Sequence, residues 1–167
     1  MEKEDRAILR QRLYGHSPKK EDYSTENYQD HFLEQYKLYV EMADRISNRR
    51  GVANAFFATL NTTFLSAIVG LLDNDVRNAF LLPIVGILIC GFWAGLLRSY
   101  RNLNTAKFAI IGLMEESLPS SPYWHAEWYA LGQGNDWKKH IPFGAIEILI
   151  PTVFALLYAV VLVLSWV

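Results

Sequence analysis

Three stretches of this chain carry no charged side chain and are each long enough to cross a bilayer: residues 51–72, 78–97 and 148–167, with 22, 20 and 20 residues. A helix rises ~1.5 Å per residue, so each stretch reaches roughly the ~30 Å of a hydrocarbon core. Water is absent there, so a spanning segment has to be a helix or part of a closed barrel to satisfy its backbone groups. Continuous apolar character without strict alternation selects the helix. The sequence thus predicts an all-α integral membrane protein with three transmembrane helices.

Bulk composition conceals this. Mean hydropathy is only +0.08, and 20% of residues are charged, because the charge is segregated into residues 1–50 and 98–142. A net charge of −1 gives no global basic signature for nucleic acid. The single cysteine, Cys90, lies inside the second stretch and excludes a disulfide framework within the chain. Residues 1–23 are polar and lack an apolar signal core, so no cleavable signal peptide is expected.

The placement of Lys and Arg predicts topology. Residues 1–50 carry 10 of the 16, residues 98–142 carry five, and the short acidic link 73–77 carries only Arg77. The positive-inside rule puts both large polar segments in the cytoplasm and the link outside. The expectation is a three-span membrane protein with a cytoplasmic N-terminus and an external C-terminus. Its parts are a mobile polar arm (1–24), a cytoplasmic helix (25–50), a transmembrane hairpin (51–98), a cytoplasmic helix with an aromatic loop (99–142) and a third transmembrane helix (143–167).

Within the polar part, Phe32, Tyr36, Tyr39, Ala43 and Ile46 are spaced 4-3-4-3, a heptad seam suited to a partner helix. No strong helix breaker separates it from the first span, so one long helix is expected to enter the membrane. Beyond the second span, Leu103, Ala106, Ile110, Leu113 and Ser117 read as the complementary stripe, together forming a helical stalk. Tyr123, Trp124, Trp128 and Tyr129 suit an interfacial anchor, because amphipathic rings settle at headgroup depth.

Polar groups inside the spans are the candidate functional residues. Asn54 and Asn61 are seven apart and share a helical face, with Thr62 beside them. They are costly in hydrocarbon unless paired, so they serve either as interhelical glue or as a pore lining. Glu147, near the start of the third span and four residues before Pro151, reads either as paired with Lys138 or Lys139 or as a charged ring at a pore mouth. Gly91 and Gly95 form a Gly-xxx-Gly spacing that would serve the hairpin or an oligomer contact equally. Arg45, Arg49, Arg50, Arg98, Arg101 and Lys107 gather by sequence at the membrane boundary, as a site for an anionic ligand or for lipid headgroups. Motifs for phosphate loops, zinc proteases and serine hydrolases are missing from the sequence, and no enzyme activity or cofactor is expected.

Several motifs carry a family resemblance. They are the run from Tyr36 to Arg50, Ala53-Asn54-Ala55-Phe56-Phe57, Leu60-Asn61-Thr62, the run from Arg98 to Phe108, Leu118-Pro119, Ala126-Glu127-Trp128 and Leu131-Gly132. Over residues 28–160 the chain resembles the RipA family of octameric bacterial inner-membrane proteins, which implies a homo-oligomer. In general build it is also similar to the two-helix membrane effectors of bacterial anti-phage defence, such as the transmembrane component of Hailong-type systems. That similarity implies a channel-like protein that depolarises the cell under control of a nucleotide or oligonucleotide made by a partner nucleotidyltransferase. The third span departs from the two-helix pattern. The competing expectation is a non-conducting structural protein that organises lipid or protein partners.

Overall fold

A computed structural model describes residues 3–15, 25–72, 81–131 and 143–165. The described elements are helical, with no strand among the described residues. They are α1 (Lys3–Tyr14), α2 (Thr25–Leu72), α3 (Leu81–Glu115), a π-helical turn (Pro122–Glu127), α4 (Trp128–Ala130) and α5 (Phe143–Leu164). The expected all-α membrane fold is present, with three helices long and apolar enough to span. The link 73–77, Lys138 and Lys139 lie outside the described residues.

The chain divides into two compact units, one made of Met1–Ile46 with Leu103–Lys139 and the other of Ser47–Asn102 with His140–Val167. In the second, the membrane unit, each helix turns a seam spaced three and four residues apart toward the other two. On α3 the buried seam is Pro83, Gly86, Cys90, Trp93 and Leu97; on α2 it runs through Asn54, Phe57, Asn61, Phe64 and Ile68; on α5 through Pro151, Phe154, Tyr158 and Val161. This alternation is that of left-handed helix packing. Aromatic rings fill the layers: Phe57 stacks on Trp93 at 5.8 Å, Trp93 meets Phe154 at 6.2 Å, and Phe64 meets Tyr158 at 6.1 Å. Pro151 is buried inside a continuous α5, and the Thr152 hydroxyl donates to the Ile148 carbonyl at 2.9 Å.

In the polar unit the α2 seam is as expected: Ala43 is buried, and Phe32, Tyr36, Tyr39 and Ile46 are half-buried. Its partner stripe on α3 differs from the sequence expectation. Ile110 is half-buried and Leu113 buried, as expected, but Leu103 and Ala106 are exposed and Ser117 lies beyond the helix, while Lys107, Ile111 and Met114 are buried and Asn104 half-buried. The reason is Lys107, whose apolar stem is buried while its ammonium sits 4.4 Å above the Tyr39 ring. A cation over an aromatic face gains ~0.5–2 kcal/mol, so a charged residue can occupy a seam position that hydropathy assigns to its neighbour. Residues 3–14, expected to belong to a mobile arm, form α1, with Arg6 and Arg10 ion-paired to Glu116 and Leu9, Leu13 and Tyr14 half-buried.

Candidate functional site

The middle of the membrane unit holds a polar knot. Asn61 is 0% exposed. Its amide donates to the Phe57 carbonyl at 2.8 Å, and its side-chain oxygen accepts from the Tyr158 hydroxyl at 3.2 Å and from the Cys90 thiol at 3.4 Å. The Tyr158 hydroxyl also reaches the Asn61 backbone carbonyl at 3.1 Å. One turn and a half away, the Trp93 indole donates to the Asn54 side chain at 3.1 Å. Asn54 and Asn61 do share a face, and that face is the interior of the protomer. Asn61 binds α3 and α5 of its own chain, and Asn54 binds α3, the arrangement that interhelical glue requires. Room for Tyr158 comes from Gly86, where a Cβ would stand 2.6 Å from the ring.

Thr62 is placed differently. With Thr59, Thr63 and Ser66 it makes an i, i+3, i+4, i+7 set on the exposed side of α2. Thr59, Thr62 and Ser66 each donate to the carbonyl four residues back, at 3.0, 2.8 and 2.9 Å. The outward face of α5 has opposite chemistry, with Leu149, Val153, Leu156, Leu157, Val160 and Val163 exposed. Gly91 and Gly95 of α3 are exposed, and a Cβ on either meets nothing within 4 Å. The close approach within the protomer is that of Gly86 to Tyr158 of α5, and the Gly-xxx-Gly pair stays on the surface.

Glu147 pairs with Arg50, its Oε1 3.2 Å from Nε, both side chains largely shielded at 13% and 17% exposure. The two groups are close in space but not aligned as a hydrogen bond. This pair ties the start of α5 to α2 within the protomer, and the pairing with Lys138 or Lys139 considered from sequence lies outside the described residues. The other basic candidates divide. Arg45 is paired with Glu41 at 2.6 Å and belongs with Lys107 to the polar unit. Arg49, Arg98 and Arg101 are exposed in the membrane unit, with no ion pair among the described residues.

A residue that sequence reasoning missed organises the polar unit. Glu115, at the end of α3, is only 1% exposed. Its oxygens accept from the Tyr36 hydroxyl (3.1 Å), the Ser121 hydroxyl (2.7 Å) and the backbone N–H groups of Tyr123 (3.1 Å) and Trp124 (2.9 Å). One carboxyl group thus joins α2, α3 and the π-helical turn. Burial, then the hydrogen bond and negative charge of Glu115, push the Tyr36 phenol up to about 12. The Trp124 ring that this turn carries lies on Gly112, where a Cβ would come within 2.7 Å of it. The signal in the sequence was slight: an acidic residue at the end of an apolar stripe, three residues before Leu118-Pro119.

No curated protein and no solved structure matches the chain. The family model of the "Octameric membrane protein family (8xMP)" matches residues 33–167, covering α3, α5 and nearly all of α2 but leaving out α1. With three spanning helices and a match over most of its length, the chain is an oligomeric membrane protein that belongs to the octameric membrane protein family.

Proposed function

We propose that the protein is the subunit of a channel-like ring in the bacterial inner membrane, with the hydroxyl face of α2 toward a central lumen. The observation that carries this reading is the contrast between two outward faces. Thr59, Thr62, Thr63 and Ser66 of α2 are exposed, whereas α5 presents only branched apolar side chains except at Thr152. Lipid favours the α5 face, and a polar face at membrane depth belongs against protein or water. Thr62 remains a lining candidate, while Asn54, Asn61 and Glu147 are replaced as candidates by Thr59, Thr63 and Ser66. Arg49, Arg98 and Arg101 are the basic groups free to meet an anion, either a nucleotide signal or lipid phosphate. The resemblance to anti-phage effectors supports a role in depolarising infected cells under nucleotide control, without enzymatic chemistry, with N-terminus cytoplasmic and C-terminus external.

The test is single-channel recording of the purified oligomer in planar bilayers, with and without added cyclic or linear oligonucleotides, alongside voltage-dye measurement in expressing cells. Thr62→Cys and Ser66→Cys should become sensitive to a charged thiol reagent that leaves wild type untouched, because Cys90 is buried. Conductance that is absent with every ligand, or unaltered by modification at either position, would overturn the lumen assignment. It would favour the scaffold reading, in which the same hydroxyl face packs against a neighbouring subunit.

A further inference from the structure

The last turn of α3 and the π-helical turn build a receiving surface that is separate from the membrane faces. Glu116, immediately after Glu115, is the acidic group that pairs with α1 among the described residues. Arg6 donates to Glu116 Oε1, and Arg10 approaches Oε2 at 3.1 Å. The Arg6 guanidinium also lies over the Trp124 ring, 5.1 Å from its centroid, and the Tyr14 hydroxyl donates to the Leu113 carbonyl at 3.4 Å. Arg6 and Arg10 are four apart, so they stand on one side of α1 and grip both oxygens of one carboxylate.

The receiving surface does not depend on α1 for its shape. Trp124 is held from behind by Gly112 and by its backbone bond to buried Glu115, both outside α1. All of it falls within the family-matched residues 33–167, whereas α1 precedes them. The contact is also weakly buried. The Arg6, Arg10 and Glu116 side chains are 33%, 61% and 25% exposed. α1 exposes Ile8 at 58% and is 12 residues long, at the lower edge of the ~12–15 residues under which even good isolated helices are marginal. Ion pairs of this exposure are screened by salt and yield readily to a competitor.

We propose that Glu116, Trp124 and the Leu113 carbonyl form a docking site for an arginine-bearing helix, occupied in cis by α1 as an exchangeable plug. Its partner class is a basic helix with two arginines at i and i+4, which enters by displacing α1. Whatever occupies the site touches the segment that Glu115 ties to Tyr36, so occupancy bears directly on the junction of α2, α3 and the π-helical turn.

The experiment uses the full-length protein in nanodiscs and a fluorescent synthetic peptide of residues 1–15. Binding is read by anisotropy at low salt, and hydrogen exchange reports the protection of residues 3–14. In Arg6→Ala/Arg10→Ala the cis helix should lose protection, and the peptide should bind at least about tenfold more tightly than to wild type, because apparent affinity scales with the fraction of open sites. Adding Glu116→Gln to that variant should abolish the gain, and so should raised salt. The proposal is overturned if residues 3–14 keep their protection in the double variant, if peptide affinity is unchanged, or if tight binding survives Glu116→Gln. Glu116 points partly to solvent, so its conversion to Gln leaves the fold in place.

Discussion

Replacing Gly86 by Ala tests the packing of the membrane unit at its tightest point. A Cβ there would stand 2.6 Å from two atoms of the Tyr158 ring and 2.7 Å from a third, about 0.8 Å short of the 3.4 Å at which ordinary contact begins. The obstacle is a rigid ring that is 0% exposed, with its hydroxyl engaged by Asn61. Neither side can yield by a simple rotation, so α3 and α5 must separate or Tyr158 must leave its pocket. Overpacking of this kind costs ~1–3 kcal/mol. Drawing the Tyr158 hydroxyl away from Asn61 adds ~0.6 kcal/mol or more, the typical worth of an interhelical hydrogen bond in a membrane. Set against the ~1 kcal/mol by which alanine favours a helix over glycine, the net loss should be about 1–3 kcal/mol, a factor of roughly 5 to 150 in the unfolding equilibrium.

The assay is reversible unfolding in mixed micelles, raising the denaturing detergent and following helix content on the dissociated protomer. Gly91→Ala and Gly95→Ala are the controls, because both positions open onto empty space within the protomer. They should unfold at or slightly above the wild-type midpoint, since alanine is the better helix former by ~1 kcal/mol. A Gly86→Ala protomer within ~0.5 kcal/mol of wild type, on a scale where ordinary surface substitutions fall, would refute the close approach of Tyr158. So would a Gly91→Ala protomer as damaged as Gly86→Ala. A partial rescue of Gly86→Ala by Tyr158→Leu would identify the ring as the source of the strain.

Three further outcomes follow from other contacts. Glu115→Ala should cost about 3–5 kcal/mol by leaving two backbone N–H groups and two hydroxyls without their acceptor, seen as faster proteolysis between Ser121 and Leu131 and higher hydrogen exchange at Tyr123 and Trp124. Reversal of either charge in the Arg50–Glu147 pair should weaken the unit, and Arg50→Glu with Glu147→Arg together should recover much of the loss in a double-mutant cycle. The Tyr36 phenol, raised from 10.0 to about 12, holds its proton more tightly in the folded state. Its contribution is therefore complete below pH 10 and is lost as pH rises through 12, and Tyr36→Phe should flatten the fall in stability across that interval.

The spans were legible because absence of charge over a bilayer's thickness is a coarse, additive property that no single neighbour can mask. The long α2 was legible for a similar reason, since only Gly51 stands between the polar seam and the first span in an otherwise helix-compatible run. The direction in which Asn54 and Asn61 point was not. Seven-residue spacing says that two side chains share a face, and the same spacing fits a face turned inward or outward. What decides is the pairing of Asn61 with Tyr158 from a helix 97 residues later in the chain, a contact with no local signature. The α3 stripe held at Ile110 and Leu113 but missed at Leu103 and Ala106, because hydropathy treats Lys107 as a charge, whereas the structure uses its stem and places its ammonium over Tyr39. α1 and the Glu115 hub escaped notice because they rest on individual polar bonds, and single carboxylates leave no periodic trace.

The way the protomer spends its polar groups also says what remains for its neighbours. Asn54, Asn61 and Tyr158 are hydrogen-bonded within one chain, and Arg50 is ion-paired with Glu147 of the same chain. Lipid tails are as apolar as leucine, and burial of Leu and Val therefore supplies little drive between subunits in a membrane. The α5 face of Leu and Val gains almost nothing by leaving lipid. Close backbone approach does gain dispersion, and the outward residues that permit it are Gly51 and Gly70 on α2 and Gly91 and Gly95 on α3, all open to the surface. A closed ring needs two different faces on each subunit, one to give and one to receive, and the Gly91–Gly95 face of α3, which lies apart from the α2 face proposed to line the lumen, is offered as one of them. Gly95→Leu should then lower the assembled mass, measured by light scattering in mild detergent, without loss of helix content. Leu156→Ala on α5 should leave the mass unchanged. An intact assembly with Gly95→Leu, together with a broken one in Leu156→Ala, would mean that the subunits meet through α5 and that the small-residue faces look elsewhere.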